Sequence, residues 1–215
     1  MTNRVLVVLD IDSTLINEEG LDLLAGHAGS DIASAVASIT DQAMAGELDF
    51  ADSLVKRVAL LEGQPVSLLQ QVAQTLTLTD GATALIDAIH DAGGLVGAVS
   101  GGFHELVDPL ASRIGLDHWL ANRFEVHGGR LTGRVIGDIV DAHAKATFLT
   151  HWADHYGIPQ AHTIAVGDGA NDVAMFAAAG VSVSFCGKPV ANEQATVCIE
   201  QRDLARVLDY VPAGA

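Results

Sequence analysis

The fold is decided by the stretch Val5-Leu-Val-Val-Leu-Asp-Ile-Asp-Ser-Thr14, in which an apolar run passes abruptly into acidic and hydroxyl side chains. A short run rich in valine and leucine is typical of a buried parallel strand, and this one is too short to cross a bilayer. Two further apolar runs end in a similar way, at Ser100-Gly-Gly102 and at Gly167-Asp-Gly-Ala-Asn-Asp172. Because ligands bind beyond the carboxyl ends of parallel strands, we expect these three segments to meet at one edge of a sheet.

Strands and helices alternate along most of the chain, which predicts an α/β protein with a mostly parallel sheet flanked by helices. The exception is residues 17–78, where apolar spacing predicts four helices and no strand. We interpret this segment as a small four-helix cap inserted after the first strand, and residues 1–16 and 79–215 as the core domain. Farther along, Gly128-Gly129 between two short apolar runs predicts a β-hairpin.

The charge of the chain restricts its partners. Its 215 residues include 27 acidic and 11 Lys or Arg side chains, for a formal net charge of −16. Such a field repels nucleic acids and anionic membranes, so neither is an expected partner. A small anionic substrate would need a local cation, which a metal ion held by carboxylates supplies. A signal-peptide pattern is missing and the two cysteines lie far apart in the sequence, which predicts a cytoplasmic protein with free thiols.

Asp10 and Asp12 are the first candidate catalytic residues. They lie two residues apart at the end of a strand, so their side chains point to the same side. Two such carboxylates repel each other, which raises the pKa of one of them. We assign Asp10 as a nucleophile that forms an aspartyl-phosphate, and Asp12 as general acid and then general base. Taken alone, a D-x-D pattern is more typical of a solvated turn with an Asx cap, so the assignment depends on the other two strand ends.

The segment that contains Asp168 and Asp172 provides further oxygen ligands. Mg²⁺ prefers octahedral oxygen ligands, and Asp10, Asp168 and the backbone carbonyl of Asp12 form a suitable predicted set. We expect Asp172 to bind the ion indirectly, through water, or to orient Lys145. The alternative interpretation is a strand-to-helix loop in which Asp172 caps the helix.

The segment Ser100-Gly101-Gly102 is a predicted seat for an anion. A serine hydroxyl and exposed backbone N–H groups at the end of a buried strand can bind phosphate oxygens, although a plain tight turn also fits the pattern. Lys145 lies early in a predicted helix that precedes the third of these strands. A lone lysine usually faces solvent, but a phosphoryl group in transfer needs one more cation, and Lys145 is the candidate.

In order along the chain, these motifs resemble those of the phosphoserine phosphatases of the haloacid dehalogenase-like superfamily. Asp10-Ile-Asp-Ser-Thr-Leu15 is similar to the nucleophile motif D-x-D-x-[TV], and Ser100-Gly-Gly102 to the second motif. Lys145 stands where the third-motif lysine is expected, and residues 167–172 are similar to the fourth motif. The resemblance covers the whole chain and implies a Rossmann-like core. It also makes Asn171, inside the fourth motif, a substrate-binding candidate.

The same resemblance implies how the substrate is recognised. The helical segment contains residues similar to the serine-recognising stretch of those enzymes, in which Glu19 would bind the substrate ammonium and Arg57 its carboxylate. Met44 and Phe50 would shield the site from water. A glutamate and an arginine fork match the two charges on one carbon of phosphoserine. Whether Glu18 or Glu19 faces the site is left open, with Glu19 preferred.

The implied reaction is the hydrolysis of O-phospho-L-serine to L-serine and phosphate, with Mg²⁺ as cofactor. The phrases Val99–Phe103 and Ala121-Asn-Arg123 also resemble that subfamily. Two alternatives keep the chemistry: phosphoryl transfer to an alcohol such as homoserine, and hydrolysis of another small phosphomonoester. A receiver-like signalling domain is a third, but Asp12 and the cap argue against it. A homodimer is also left open.

Overall fold

The computed structural model describes residues 4–44 and 47–212, and the side chain of Met44 lies outside the described part. Within these residues one sheet contains seven strands: β1 Leu6–Leu9, β2 Leu95–Phe103, β3 His118–His127, β4 Arg130–Ile136, β5 Thr163–Gly167, β6 Val181–Phe185 and β7 Val197–Ile199. Their order is β4-β3-β2-β1-β5-β6-β7. All neighbouring pairs are parallel except β3 and β4, which form the antiparallel hairpin. The predicted α/β fold with a mostly parallel sheet is confirmed.

The helices surround this sheet. In chain order they are α1 Gly20–Ala28, α2 Ser30–Met44, α3 Phe50–Ala59, α4 Val66–Ala73, α5 Ala82–Asp91, α6 His104–Ile114, α7 Ala142–Tyr156, α8 Val173–Ala178 and α9 Pro189–Gln194. Helices α1 to α4 follow one another without a strand among the described residues, and an antiparallel bridge between Ile16 and Leu78 lies where the chain enters and leaves this segment. The division into core and cap stays a prediction. In residues 4–44 and 47–212, every helix is too short or too polar to cross a bilayer.

Strand β1 is buried on both faces, which explains why its sequence is continuously apolar and does not alternate. Val7 and Leu9 belong to the larger core, under α5, α6 and the helical segment. Leu6 and Val8 belong to a second core on the other face of the sheet, packed with side chains of α7 and α8. Because β1 is the central strand, the residues just after it lie in the middle of the row formed by the carboxyl ends of the strands.

The structure differs from the sequence-based expectation near the sheet margins. The hairpin is as predicted, but its first strand begins at His118, whereas the pattern indicates only residues 124–126. The earlier part of β3 pairs in parallel with β2 and has no alternation that would reveal it. Helix α9 and strand β7 are short and are not predicted, and residues 204–210 form a 3₁₀-helix.

The segment between α3 and α4 pairs with the hairpin turn through three backbone hydrogen bonds. The N–H of Gly63 donates to the carbonyl of Leu131 at 2.9 Å, and the N–H of Leu131 donates to the carbonyl of Gln64 at 2.9 Å. The N–H of Val66 donates to the carbonyl of Gly129 at 3.0 Å. The helical segment is therefore attached to the sheet through the hairpin as well as through the two chain crossings at the edge of β1.

Candidate active site

The three predicted strand ends surround one cavity of about 100 Å³. Side chains from the ends of β1 and β5 form its acidic floor, and backbone from the end of β2 forms one wall. Helices α1 and α3 of the helical segment form the opposite wall. The lining residues are Asp10, Asp12, Glu19, Leu21, Asp22, Phe50, Leu54, Arg57, Gly101, Gly102, Asp168, Asn171 and Lys188.

A tight π-type turn over Ile11–Leu15 places Asp10 and Asp12 at this cavity. The Asp10 carboxylate starts the turn by accepting a hydrogen bond from the N–H of Ile11 at 2.7 Å. Ser13 then adopts a left-handed backbone with φ 56°, an uncommon conformation for a residue with a Cβ atom. The turn aims both carboxylates at the cavity and lets the chain continue into the helical segment.

The Asp12 carboxylate is held from two sides. Its Oδ1 accepts from the N–H of Gly20 at 2.7 Å, and its Oδ2 accepts from the hydroxyl of Ser100 at 3.0 Å. Burial raises the pKa of Asp12, and these two hydrogen bonds only partly oppose that rise. Asp12 therefore holds a proton to higher pH than an exposed aspartate does, as a general acid must.

Two glycines at the end of β2 leave room for neighbouring side chains to approach the seat closely. A Cβ atom at Gly102 would lie 2.7 Å from Asp12 Oδ2, and one at Gly101 would lie 2.5 Å from the ring of Phe50. The N–H of Gly102 donates to the hydroxyl oxygen of Ser100 at 2.7 Å. The ring of Phe50 thus lies over the seat on the side of the helical segment.

Lys145 is buried between two carboxylates. Its Nζ lies 2.7 Å from Asp10 Oδ1 and 2.7 Å from Asp172 Oδ1. Burial by itself would lower the pKa of Lys145, but Asp10 and Asp172 outweigh it, so the pKa is raised and the ammonium stays charged. The other oxygen of Asp172 accepts from the N–H groups of Asp168 and Gly169, each at 3.1 Å. Asp172 therefore orients Lys145 and fixes the loop after β5.

Three of the carboxylates form a group that fits a metal ion. Oxygen atoms of Asp10, Asp168 and Asp172 all lie within 4.8 Å of one another. Burial raises the pKa of Asp10 well above its usual range, and repulsion from Asp172 adds to the rise. Closely spaced carboxylate oxygens are the donors that hard divalent cations prefer, and such a cation would relieve this repulsion. The residues present fit a divalent cation of that kind.

The two neighbouring glutamates have different positions. The Glu18 carboxylate accepts from the hydroxyl and the N–H of Thr77, at 2.6 and 3.0 Å, and so joins the two chain crossings of the helical segment. The Glu19 carboxylate accepts from the hydroxyl of Ser13 at 2.7 Å and lines the cavity. Partial burial raises the pKa of Glu19, and Asp12 adds to the rise by repulsion. A cationic group at this wall would be stabilised.

Arg57 lines the same wall from α3. The Nε of its guanidinium donates to the carbonyl of Ser53 at 3.4 Å, and the residue lines the cavity. Burial lowers the pKa of Arg57, but a guanidinium stays charged at neutral pH. One wall thus presents an anion, Glu19, and a cation, Arg57, that would suit a zwitterion. Asn171 also lines the cavity, whereas the side chain of Met44 lies outside the described residues.

Lys188 is a cavity residue that the sequence does not predict. Its Nζ lies 3.2 Å from Asp168 Oδ2, and its backbone N–H donates to the carbonyl of Asp168 at 2.8 Å. Burial would lower the pKa of Lys188, but the attraction of Asp168 outweighs it and the pKa is raised. The only sequence signal is that β6 ends two residues before Gly187-Lys188, at the same sheet edge.

Comparison with known proteins relates this site to one family. The family model of the haloacid dehalogenase-like hydrolases matches residues 7–177. The chain is 44% identical over 211 residues to a phosphoserine phosphatase of Lactococcus lactis subsp. lactis, a match that covers 98% of this chain and 97% of the relative.

Solved structures of similar proteins have the same fold along their whole length. A substrate-bound phosphoserine phosphatase complex superposes with a TM-score of 0.92 and 40% identity, covering 99% of this chain and 100% of the other. A phospho-aspartyl intermediate analogue of phosphoserine phosphatase superposes with a TM-score of 0.91 and 41% identity, covering 98% and 100%.

Proposed function

The chain belongs to the haloacid dehalogenase-like hydrolases, and from this premise we propose that it hydrolyses O-phospho-L-serine to L-serine and phosphate. One observation carries the proposal: a single cavity contains the buried Asp10 and the half-buried Asp12 on its floor and a glutamate and an arginine on its wall. The similar proteins are named phosphoserine phosphatases, and one was solved with substrate bound. The cavity therefore has both the chemical groups and the charge pattern that this substrate requires.

We assign the two steps of the reaction to Asp10 and Asp12. A carboxylate oxygen of Asp10 attacks phosphorus, the bond from phosphorus to the ester oxygen breaks, and Asp12 gives its proton to the serine alkoxide. A water molecule then attacks the phosphorus of the aspartyl-phosphate, and Asp12 takes the proton of that water. The bond from phosphorus to the Asp10 oxygen breaks, which releases phosphate and restores the Asp10 carboxylate. The raised pKa of Asp12 supports its role as the proton donor of the first step.

Positive charge around the phosphoryl group has two proposed sources, Lys145 and a metal ion. Lys145 is fixed beside Asp10, and Ser100 with the backbone of the glycine pair forms the seat on the other side. We propose Mg²⁺ as the ion, held by Asp10, Asp168 and the backbone carbonyl of Asp12, with Asp172 acting indirectly. When bound, this ion lowers the pKa of Asp10 and neutralises charge on the phosphoryl oxygens.

The remaining proposals concern the substrate and its surroundings. Residues 17–78 would be a cap over a core of residues 1–16 and 79–215, and the cap would exclude water during the first transfer. Asn171 is proposed to contact the substrate phosphate beside the seat. The only partner proposed is a small phosphomonoester, in the cytoplasm.

Substrate recognition can be tested with Glu19→Gln and Arg57→Ala. Each removes one charged contact, which is expected to lower kcat/KM for phosphoserine about 10- to 100-fold. Simpler phosphate esters should distinguish the effect of Glu19→Gln from that of Arg57→Ala. Phosphoethanolamine lacks the carboxylate, so its turnover should depend on Glu19 alone, whereas phosphoglycolate lacks the ammonium and should depend on Arg57 alone. Steady-state kinetics on the three esters measure this.

The neighbouring residues provide matched controls for this experiment. Glu18→Gln changes the glutamate that binds Thr77, and Lys56→Ala changes an exposed cation on the same helix as Arg57. Both should keep kcat/KM within about threefold of the wild type, as surface changes usually do. If Glu19→Gln and Arg57→Ala hydrolyse phosphoserine as well as these controls do, the substrate assignment is wrong.

Metal binding should be visible in stability alone. Mg²⁺ at about 100 times its Kd is expected to raise the Tm by about 5 °C or more at pH 7, and EDTA should reverse the shift. Since the pKa of Asp10 is raised, protons compete with the ion, so the shift should shrink as the pH falls through that pKa. Asp168→Asn should remove the shift, while the exposed control Asp154→Asn keeps it. A full shift in Asp168→Asn would contradict the proposed ligand set.

A further inference from the structure

The phosphate seat lies on a bulge in the sheet. Strand β2 pairs with β3 at Val99 and Leu120 and pairs again at Phe103 and Asn122. Four residue steps along β2 therefore match only two along β3, so β2 has two surplus residues within the stretch 100–102, where Gly101 and Gly102 line the cavity. A bulge leaves backbone groups without ladder partners, which must be satisfied in another way.

Asn122 satisfies one of these groups with its side chain. Its Nδ2 donates to the carbonyl of Gly101 at 2.8 Å, and its Oδ1 accepts from the N–H of Val140 at 2.9 Å. Asn122 is 2% exposed, so both hydrogen bonds are shielded from water. The side-chain amide of Asn122 thus holds the seat through its Nδ2 and the segment that leads into α7 through its Oδ1.

The hydrogen bond from Asn122 to the Gly101 carbonyl also fixes the orientation of the neighbouring N–H group. The peptide unit between Gly101 and Gly102 is planar and trans, so its carbonyl and its N–H point in opposite directions. Holding the carbonyl against Asn122 therefore directs the N–H of Gly102 to the Ser100 hydroxyl, which in turn donates to Asp12. Because both residues are glycines, few steric barriers oppose rotation of this peptide unit, and a fixed partner is what keeps it in place.

The bond to Val140 acts on a second catalytic group. Val140 precedes Asp141, whose carboxylate caps α7 by accepting from the N–H of Ala144 at 2.8 Å. Lys145 lies in the first turn after this cap, with its ammonium between Asp10 and Asp172. A displacement at Val140 would therefore be transmitted to the start of the helix that carries this ammonium.

We propose that Asn122 is a positioning residue for phosphoryl transfer, an inference that rests on the proposed function. It acts through two other groups, the Gly101–Gly102 peptide unit and the start of α7, and it does not touch the substrate. It keeps the seat and the lysine in register on opposite sides of the phosphoryl group. Small displacements of such groups cost large factors in rate, whereas loss of one buried hydrogen-bonded side chain elsewhere costs only stability.

The test compares Asn122→Ala with Thr163→Val. Thr163 is also fully buried, and its hydroxyl also donates to one carbonyl, of Gln160, and accepts from one N–H, of Gly180. It lies at the start of β5, at the amino-terminal ends of the strands, whereas the seat lies at their carboxyl-terminal ends. Both variants should lower the Tm by similar amounts, so a difference between them in function is not a difference in folding.

Asn122→Ala is expected to lower kcat for phosphoserine by about 10- to 100-fold and to raise the inhibition constant of inorganic phosphate about tenfold. Hydrogen exchange at the Gly102 amide should become faster. Thr163→Val should leave kcat and the phosphate constant within about twofold. Asn122→Asp, which keeps an acceptor for Val140 but turns an oxygen toward the Gly101 carbonyl, should lose at least as much kcat as Asn122→Ala.

The inference is overturned if Asn122→Ala loses no more kcat than Thr163→Val at an equal loss of Tm, or if Asn122→Asp turns over like the wild type. If the wild type does not hydrolyse phosphoserine, the proposed function fails. Phosphate affinity and exchange at Gly102 then decide the inference separately: unchanged values in Asn122→Ala overturn it, and changed values support it.

Discussion

Asp10→Asn will abolish turnover of phosphoserine, by about 10⁴-fold or more, while the protein stays folded. An amide is a far weaker nucleophile toward phosphorus than a carboxylate, and no aspartyl-phosphate can form. The fold should survive because the amide oxygen can still accept from Lys145 and from the N–H of Ile11. Steady-state kinetics measure the loss of turnover, and far-UV circular dichroism and thermal unfolding show whether the protein stays folded.

A trapping experiment makes the test of Asp10 more specific. When the wild type is quenched in acid during turnover of labelled phosphoserine, label should remain on the protein, and Asp10→Asn should retain none. Asp154→Asn, an exposed aspartate on α7, is the matched control and should be labelled like the wild type. Near-normal turnover by Asp10→Asn would end the assignment of the nucleophile.

Lys145→Met will lower the free energy of unfolding by about 3–5 kcal/mol at pH 7 and reduce kcat by at least about 100-fold. The ammonium is 1% exposed and is paired with two buried carboxylates, so its loss leaves Asp10 and Asp172 facing each other without compensation. Removing one partner of a buried ion pair costs far more than the pair contributes, because an uncompensated charge stays buried. Urea unfolding with and without Mg²⁺ measures the stability, and the ion should restore part of the loss.

The stability deficit of Lys145→Met should depend on pH. Burial and Asp172 raise the pKa of Asp10 in the folded state, so the folded protein binds this proton more tightly than the unfolded chain does. A group of this kind destabilises the fold as the pH rises through its folded pKa, and Lys145 offsets that effect in the wild type. The difference between variant and wild type should therefore grow from acidic to neutral pH. Lys56→Met, an exposed control, should stay within about 0.5 kcal/mol, and an equal deficit at every pH would contradict this account.

Much of the fold is predictable from the sequence because the apolar strands differ plainly from the polar segments after them. Strand β1 is buried on both faces and is therefore an unbroken apolar run, and its position at the centre of the sheet agrees with that burial. The short elements at the margin, α9 and β7, have too few residues to show a period. The first part of β3 is hidden for another reason, since His118 and Asn122 form hydrogen bonds with the distant residues Tyr156 and Gly101, which no periodic pattern indicates.

The candidate site is predictable where its chemistry lies at strand ends and not where it depends on local backbone geometry. Asp10, Ser100 and Asp168 lie at or just after the ends of apolar strands, and parallel strands bring such residues to one edge. The choice between Glu18 and Glu19 depends on the turn after β1, which directs one to Thr77 and the other to the cavity. The position of Lys188 depends on a loop, and the contact of Asn122 depends on a bulge in the neighbouring strand. Neither feature produces a periodic pattern in the sequence.

The backbone pairing between residues 63–66 and the hairpin turn has a mechanical consequence. A hinge at the Ile16–Leu78 crossing would let the four helices swing as a rigid arm only if the opposite end of that arm were unattached. Three main-chain bonds instead fasten α3 and α4 to Gly129 and Leu131. Motion of Arg57 and Phe50, which belong to α3, is therefore coupled to bending of the β3–β4 ribbon, and the stiffness of that ribbon limits how far this wall of the cavity can move.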